Sequence, residues 1–246
     1  MPAPRIRRPH LLLVAALAST ALPVHAQTCM ARSGAQAAPV VELYTSEGCN
    51  SCPPADRWLS ALKADPSTVA LAFHVDYWDS LGWTDRFASA ANTQRQTQQQ
   101  AVNGSRYNYT PQVVVNGMDR KDWSGIATLP ARETSGVQIS LMRSGAQVTA
   151  TVQSNASSRL AAYWAVTEDG HSTAVKAGEN AGTVLKHDHL VREWQAVPNW
   201  SASAGVPATL QFHPSTAVDA AHPRQVNLVV VNADTGRPVQ ALKLGC

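Results

Sequence analysis

Three short apolar runs in the first half of the chain alternate with more polar segments. Residues 40–44, 69–75 and 113–115 have the length and composition of buried strands. The third run is followed by Asn116-Gly117, a pair typical of a two-residue hairpin turn. Strands separated by helical segments favour a partly parallel sheet. The pattern predicts an α/β domain over about residues 38–130.

Two helices are predicted between these strands. Residues 56–63 place apolar side chains at helical spacing and are stopped by Asp65-Pro66. Residues 87–101 form a Gln-rich helix with a thin apolar stripe made of Phe87, Ala88, Ala91 and Val102.

The pattern changes after about Pro130, where strand-like runs follow one another without helices. Residues 137–143 and 147–153 alternate around a Ser144-Gly145 turn and predict a hairpin. Further strand-like runs are 161–167, 185–194, 208–212, 226–231 and 239–244. Short strands at regular spacing are typical of an antiparallel sandwich. The predicted fold is therefore an α/β domain followed by a β-sandwich-like domain over 131–246.

The first 26 residues have the features of a secretory signal peptide. Arg5, Arg7 and Arg8 precede an apolar run over 11–22, and small residues follow before a predicted cleavage after Ala26. The apolar run is too short to span a membrane as a helix, and no later stretch is as long. We expect a periplasmic or secreted protein without a membrane span. A lipid anchor on Cys29 is disfavoured because small residues are missing before it.

Charge does not indicate a polyanionic partner. The whole chain has 20 basic and 17 acidic residues, and three of the basic residues belong to the predicted signal, so the remainder is neutral. No electrostatic argument for nucleic acid or an anionic membrane follows.

Four cysteines remain after the predicted cleavage: Cys29, Cys49, Cys52 and Cys246. In an oxidising compartment an even number suggests disulfides, with three possible connectivities. Cys49 and Cys52 are close enough in sequence to pair, which leaves Cys29 and Cys246 to form a structural disulfide between the two ends. The alternative is two free or intermolecular thiols at these ends.

The Cys49-Asn50-Ser51-Cys52 segment follows a predicted strand and precedes a predicted helix. A helix N-terminus favours a thiolate, which is the species that attacks disulfides or binds soft metals. We expect Cys49 to be the more exposed cysteine and the nucleophile, and Cys52 to resolve the mixed disulfide. Pro53-Pro54 directly after Cys52 suggests that the helix begins late.

Two further features support a reactive dithiol over a merely structural one. Thr110-Pro111 precedes the third strand, where a cis proline would put the Thr110 backbone opposite the dithiol. Glu42 lies among apolar residues on the strand before the motif, and a buried carboxylate there could take a proton from Cys52. The alternative for Glu42 is an exposed edge position.

These segments together resemble the thioredoxin superfamily over about residues 38–126. The resemblance rests on Val41-Glu42-Leu43-Tyr44, the two cysteines, and Thr110-Pro111 before Val113-Val114-Val115-Asn116-Gly117. It implies a thioredoxin-like α/β domain with a buried acid and a cis proline. Gly48 and Asn50-Ser51 differ from the thioredoxin motif, and about residues 77–108 contain an insertion.

A closer resemblance is to a secreted bacterial family known as domain of unknown function 1223. It is carried by residues 44–56, 73–79 and 109–112, and extends to 176–180 and 187–189. This family resemblance implies a fold and an exported location, without an established activity.

Several histidines and tryptophans are weaker candidates. His187-Asp188-His189 on one strand would form a metal pair or line the solvent face. His74 and Asp76 lie at the end of a predicted strand, where His74 would lower the pKa of Cys49 or pack in the core. Trp78 and Trp83 would form a docking patch or fill the core.

The leading hypothesis is thiol–disulfide exchange on exported proteins, with no organic cofactor and an unidentified redox partner. Cys49, Cys52, Thr110, Pro111 and Glu42 would form the site. One alternative is a soft-metal protein that binds Cu(I) through the two thiolates, although no third ligand is evident. The other is a non-catalytic binding module whose Cys49–Cys52 disulfide is structural.

Overall fold

The computed structural model describes Met1 and residues 29–246, so the predicted signal at 1–26 falls outside the described residues apart from Met1. The strands are β1 (Cys29–Arg32), β2 (Val40–Thr45), β3 (Val69–His74), β4 (Gln112–Val115), β5 (Met118–Asp119), β6 (Val137–Ser144), β7 (Gln147–Ser154), β8 (Ser158–Glu168), β9 (His171–Ala174), β10 (Val184–His187), β11 (Leu190–Ala202), β12 (Ala208–Phe212), β13 (Arg224–Asn232) and β14 (Pro238–Leu244). The α-helices are α1 (Pro53–Ala61) and α2 (Ala90–Val102).

One eight-stranded sheet joins strands from both halves of the chain, in the order β14-β13-β8-β11-β3-β2-β4-β5. β2 and β3 are parallel, and the seam between the halves is a short parallel pairing of Leu190 with Ala72. Asn116 and Gly117 both have positive φ in the predicted turn between β4 and β5. The predicted domain boundary near residue 130 therefore separates sequence segments that share a sheet.

A second sheet, β1-β6-β7-β12, covers part of the large one. Side chains that alternate inward along β6 and β7 meet Trp164 and Leu228 of the large sheet in a continuous apolar core. Cys29 on β1 is disulfide-bonded to Cys246 after β14, with their Cα atoms 6.3 Å apart. The disulfide joins the two ends of the described segment.

The two helices lie on opposite faces of the β2–β3–β4 region. α1 packs Ala55 and Leu59 against the face of β2 that carries Val41 and Leu43. Because side chains alternate along a strand, Glu42 points to the other face, where it contacts Arg95 of α2.

The second predicted helix begins later than expected, at Ala90, and its thin apolar stripe is not the face that it buries. Ala91 and Val102 are exposed, and α2 instead buries Asn92, Arg95 and Gln96. These polar residues lie at helical i, i+3, i+4 spacing, and each has hydrogen-bond partners that offset its loss of water, namely the His74 carbonyl, Glu42, and the Tyr109 carbonyl with Gln112.

The chain between β8 and β11 leaves the large sheet as a separate hairpin, β9–β10. We call residues 170–189 the arm. The arm departs after Glu168 and returns at Leu190, which pairs with Glu168. The sequence predicted one continuous strand over 185–194, and this is wrong: His189 has a φ of 54° and breaks the run into β10 and β11.

Candidate active site around the Cys49–Cys52 disulfide

Cys49 and Cys52 form a disulfide at the start of α1, with Cα atoms 5.4 Å apart. Cys52 is the N-cap residue, and the Asp56 N–H donates to its carbonyl. The expected late helix start is wrong, because Pro53 and Pro54 occupy the first turn of α1. Backbone N–H groups in the first turn have no helical acceptor, so two prolines cost nothing there.

Both cysteines are buried. Cys49 and Cys52 are each 0% exposed, so the expectation that Cys49 is the more accessible cysteine is wrong for this oxidised state. The reason is that two segments distant in sequence cover the motif. Ser51 lies beside the Cys49 sulfur, at 3.4 Å between Oγ and Sγ.

The first covering segment carries Trp78. A Cβ built on Gly48 would lie 3.0 Å from the Trp78 Cβ, so only glycine fits there without displacement of the tryptophan. The Trp78 indole N–H donates to the Thr110 hydroxyl at 2.8 Å. The Thr110–Pro111 peptide bond is cis. Trp78 therefore connects the loop before Cys49 to the Thr110–Pro111 segment that the sequence singled out.

The second covering segment is the arm. The Asn180 side chain is buried and donates from Nδ2 to the carbonyls of Glu47 and Cys49, at 2.8 and 3.0 Å. The Glu179 carboxylate accepts from the Asn50 N–H at 3.1 Å. Sequence reasoning missed these two residues as contributors to the site, and their only signal was the family resemblance at 176–180.

The structure does not bring Glu42 to the dithiol. Glu42 faces away from α1, and its carboxylate accepts hydrogen bonds from Tyr44, Tyr163 and Arg95. Burial, followed by the neighbouring Glu42 carboxylate, holds the pKa of Tyr163 well above its usual value. The expected proton transfer between Glu42 and Cys52 lacks a geometric basis, because the sheet separates them and permanent partners surround the carboxylate.

A different cluster of buried titratable groups lies on the dithiol side. Glu47, two residues before Cys49, accepts from the Trp83 indole N–H at 2.8 Å and contacts His187 Nε2 at 3.0 Å. Burial works against ionisation of Glu47, but its hydrogen bonds with His187, Thr173 and Trp83 together outweigh burial, and the pKa of Glu47 is lowered. Sequence reasoning did not identify Glu47, since a single carboxylate in a loop has no distinguishing pattern.

His74 and Asp85 form the second part of this cluster. His74 Nδ1 lies 2.6 Å from an Asp85 oxygen, and the Glu47 N–H donates to the same carboxylate. Burial opposes both charges, yet each partner outweighs it: the pKa of Asp85 falls to about 2 and that of His74 rises. His74 and His187 meet edge to face, with ring centroids 4.8 Å apart.

Asp56 is the titratable group of α1 that lies on the same helical face as Cys52, one turn later. Helical side chains lean toward the N-terminus, so its carboxylate is directed back toward the disulfide. Thr45 donates to it at 3.2 Å. Burial raises the pKa of Asp56 and outweighs the attraction of His74 and His187. The sequence placed Asp56 in a helix but gave it no role.

The metal pair proposed for His187-Asp188-His189 does not form on a strand. His187 ends β10 and faces Glu47, whereas His189 lies beyond the break and its backbone N–H bonds to Asp169. Within residues 29–246, no group of three or more His, Cys, Asp or Glu side chains is arranged to hold a metal ion. Over the same residues, no helix has the length and apolarity needed to cross a membrane.

The site and its scaffold define a class: a mixed, sheet-rich protein with few helices and a Cys-x-x-Cys disulfide at the start of one of them. The chain belongs to the family described as Protein of unknown function (DUF1223), which matches residues 40–231. The resemblance to this family seen in the sequence is thereby confirmed. A search of curated proteins finds no match.

The solved structures that are similar to the chain include the following two. One is the X-ray crystal structure of an Agrobacterium tumefaciens protein, 29% identical, with a TM-score of 0.65 over 86% of this chain and 96% of that one. The other is HBP35 of Porphyromonas gingivalis, 15% identical, with a TM-score of 0.61 over 85% of this chain and 75% of that one. The second likeness concerns the fold alone.

Proposed function

We propose that the protein carries out thiol–disulfide exchange on exported proteins through Cys49 and Cys52. The observation that carries the proposal is the disulfide at the N-terminus of α1, tied through Trp78 to the Thr110–Pro111 segment. The site takes dithiol or disulfide groups of other proteins as substrates. A periplasmic or secreted location accords with two disulfides within the described residues, since such bonds persist in oxidising compartments.

The proposal includes a thioredoxin-like unit over about 38–130 and a β-sandwich-like unit over 131–246. In support of the first, parallel β2 and β3 are followed in the sheet by antiparallel β4 and β5, with α1 and α2 on opposite faces. In support of the second, β1, β6, β7 and β12 face β8, β13 and β14 across one apolar core. The shared sheet makes the two units a single framework.

In the proposed reaction the reduced Cys49 thiolate attacks one sulfur of a partner disulfide. A bond forms between Cys49 and that sulfur, and the other partner sulfur leaves as a thiolate. The Cys52 thiolate then attacks Cys49, releases the second partner sulfur, and regenerates the disulfide. The partner is reduced and the protein is oxidised; a partner dithiol runs the same steps in reverse.

Cys52 must lose its proton before it attacks, and Asp56 is the proposed acceptor in place of Glu42. Asp56 lies one helical turn after Cys52 on α1, and the Thr45 hydroxyl fixes the position of its carboxylate. A raised pKa makes an ionised carboxylate a stronger base toward a thiol. His74 and His187 limit that rise through their attraction.

The burial of both cysteines favours a second candidate, a binding module with a structural disulfide. A mixed-disulfide experiment separates the two. Cys52→Ser leaves Cys49 without an internal thiol to release a partner, so it should accumulate reducible complexes with exported proteins. Cys49→Ser is the matched control, which lacks the same disulfide and should accumulate none.

The trapped complexes must re-form from purified components to count in favour of exchange. Purified Cys52→Ser should react with the isolated partner in its disulfide form and yield one free partner thiol per complex. If both variants trap equally, or neither does, exchange is wrong and the binding module remains.

A further inference from the structure

The Cys49–Cys52 disulfide is covered by a part of the arm that has few buried contacts with the rest of the protein. Between residues 175 and 184, which we call the arm tip, Val175 and Asn180 are the buried residues and the other eight are exposed. The base of the arm differs: His171, Leu185 and His187 are buried against the body. Segments with few buried apolar contacts open at low cost in free energy.

The tip makes most of its backbone hydrogen bonds to itself. The Val175 N–H donates to the Thr183 carbonyl, and the Gly182 N–H donates back to Val175. Gly178 and Gly182 have φ values of 72° and 82°, which other residues rarely adopt. A unit that is closed on itself can move away from the body without losing its own structure.

The hydrogen bonds that hold the tip over the motif come from two side chains. Asn180 occupies the carbonyls of Glu47 and Cys49, and Glu179 occupies the Asn50 N–H. Gly178 packs against Trp83: a Cβ placed on Gly178 would lie 3.1 Å from the Trp83 Cβ. The carbonyl of Cys49 and the N–H of Asn50 are the backbone groups beside the nucleophilic sulfur.

We propose that the arm tip is a gate on the dithiol, closed by Asn180 and Glu179, which must open before any thiol reaches Cys49. The biological purpose of the gate rests on the proposed function, whereas the gate itself does not. It excludes small thiols, which offer nothing to replace the three hydrogen bonds. An extended polypeptide segment next to a reactive cysteine can replace them with its own backbone N–H and carbonyl groups.

The test is the rate at which glutathione reduces the oxidised protein. The glutathione thiolate attacks Cys49, Cys52 leaves as a thiolate, and a second glutathione releases Cys49 as oxidised glutathione forms. The reaction is quenched by alkylation, and the peptide containing residues 49 and 52 is quantified by mass, which separates it from the Cys29–Cys246 disulfide.

Asn180→Ala should raise this rate about 25-fold, since it removes two hydrogen bonds and each is equivalent to about fivefold in an equilibrium constant. Glu179→Ala should raise it about fivefold, and this exposed position leaves folding intact. Lys186→Ala, an exposed change on β10 of the same arm, is the control and should match the wild type.

Hydrogen exchange on the oxidised protein provides the second measurement. The Asn50 N–H, which donates to Glu179 when the gate is closed, should exchange faster in both gate variants, while the amides within the arm keep their protection. Unchanged reduction rates in both variants would overturn the gate. Faster reduction combined with no partner trapped by Cys52→Ser would support the gate and defeat the proposed function, so the two failures are distinguishable.

Discussion

Glu42 and Glu47 are both buried, lie on the same stretch of chain, and have opposite surroundings. Glu42 is enclosed by an arginine and two tyrosine hydroxyls on the α2 face of the sheet. Glu47 lies under the dithiol loop and is bound by a histidine and a tryptophan. Arginine keeps its charge at any accessible pH, whereas histidine changes its charge near neutrality. The Glu42 cluster is therefore suited to stabilising the fold, whereas the Glu47 cluster contains histidine and can change its charge during a reaction.

The largest loss of stability is expected when Glu42 loses Arg95, its permanently charged partner. Arg95→Ala should lower the free energy of unfolding by about 3–5 kcal/mol, because the Glu42 carboxylate is left buried and unpaired. Urea unfolding measures this, with Arg57→Ala on the exposed side of α1 as the control. Equal stability of the two variants would remove the structural role assigned to the Glu42 cluster.

Asp85→Asn should have the next largest effect, about 2–3 kcal/mol near pH 6, because His74 loses its buried partner. The pKa of Asp85 is lowered to about 2, so its contribution to stability is present above pH 3.8 and lost as the pH falls. The pKa of His74 is raised, so its contribution is complete below pH 6.5 and lost as the pH rises through the raised value.

The stability difference between wild type and Asp85→Asn should therefore be greatest between about pH 4 and 6.5. Thermal unfolding across this range measures it, with exposed Asp122→Asn as the control. A difference that stays constant from pH 3 to 9 would contradict the assignment of a charged pair.

Asp56→Asn separates chemistry from stability. Resolution of a mixed disulfide by Cys52 at pH 7 should slow by about a hundredfold or more, because the proton acceptor is lost. Stability at pH 7 should not fall. The raised pKa means that ionised Asp56 destabilises the folded state as the pH rises above 3.8, and asparagine removes that cost.

Stopped-flow measurement of resolution and urea unfolding of the same preparations check both expectations for Asp56. Asp56→Glu should recover part of the rate. A variant that is slower and also less stable at pH 7 would show that Asp56 acts only through the structure of α1.

The smallest effect is expected from Tyr163→Phe, which removes one hydroxyl donor from Glu42. The free energy of unfolding should fall by about 1 kcal/mol, and the rate of reduction by glutathione should stay unchanged. Trp83→Phe is the corresponding variant in the Glu47 cluster, since it removes the indole N–H that donates to Glu47. A changed reduction rate in Tyr163→Phe would mean that the two clusters are coupled.

Local signals in the sequence predicted local features. The Cys-x-x-Cys spacing, the Asn116-Gly117 turn and the alternation along β6 and β7 each depend on neighbouring residues, and each is present in the structure. The role of Glu42 could not be predicted in this way. Its partners Arg95 and Tyr163 come from distant elements, and a Gln-rich helix with a polar buried face gives no apolar periodicity to detect.

The arm was missed for a similar reason. Asn180 follows Cys49 by 131 residues, and no pattern near either residue connects them. Alternation continues through His189, so the sequence favoured one long strand where the backbone turns into the left-handed region. Contacts of this kind depend on how distant strands and loops come together in the fold. No local pattern in a single sequence reports that arrangement.

The reduction potential of the Cys49–Cys52 pair tests the central claim most directly. The protein is equilibrated in glutathione buffers of graded potential at pH 7, with long incubation so that the arm tip does not limit the exchange, and the peptide containing residues 49 and 52 is quantified after alkylation. Thiol–disulfide exchange predicts a potential between about −120 and −270 mV, whereas a value below about −300 mV would show a structural disulfide and contradict the account.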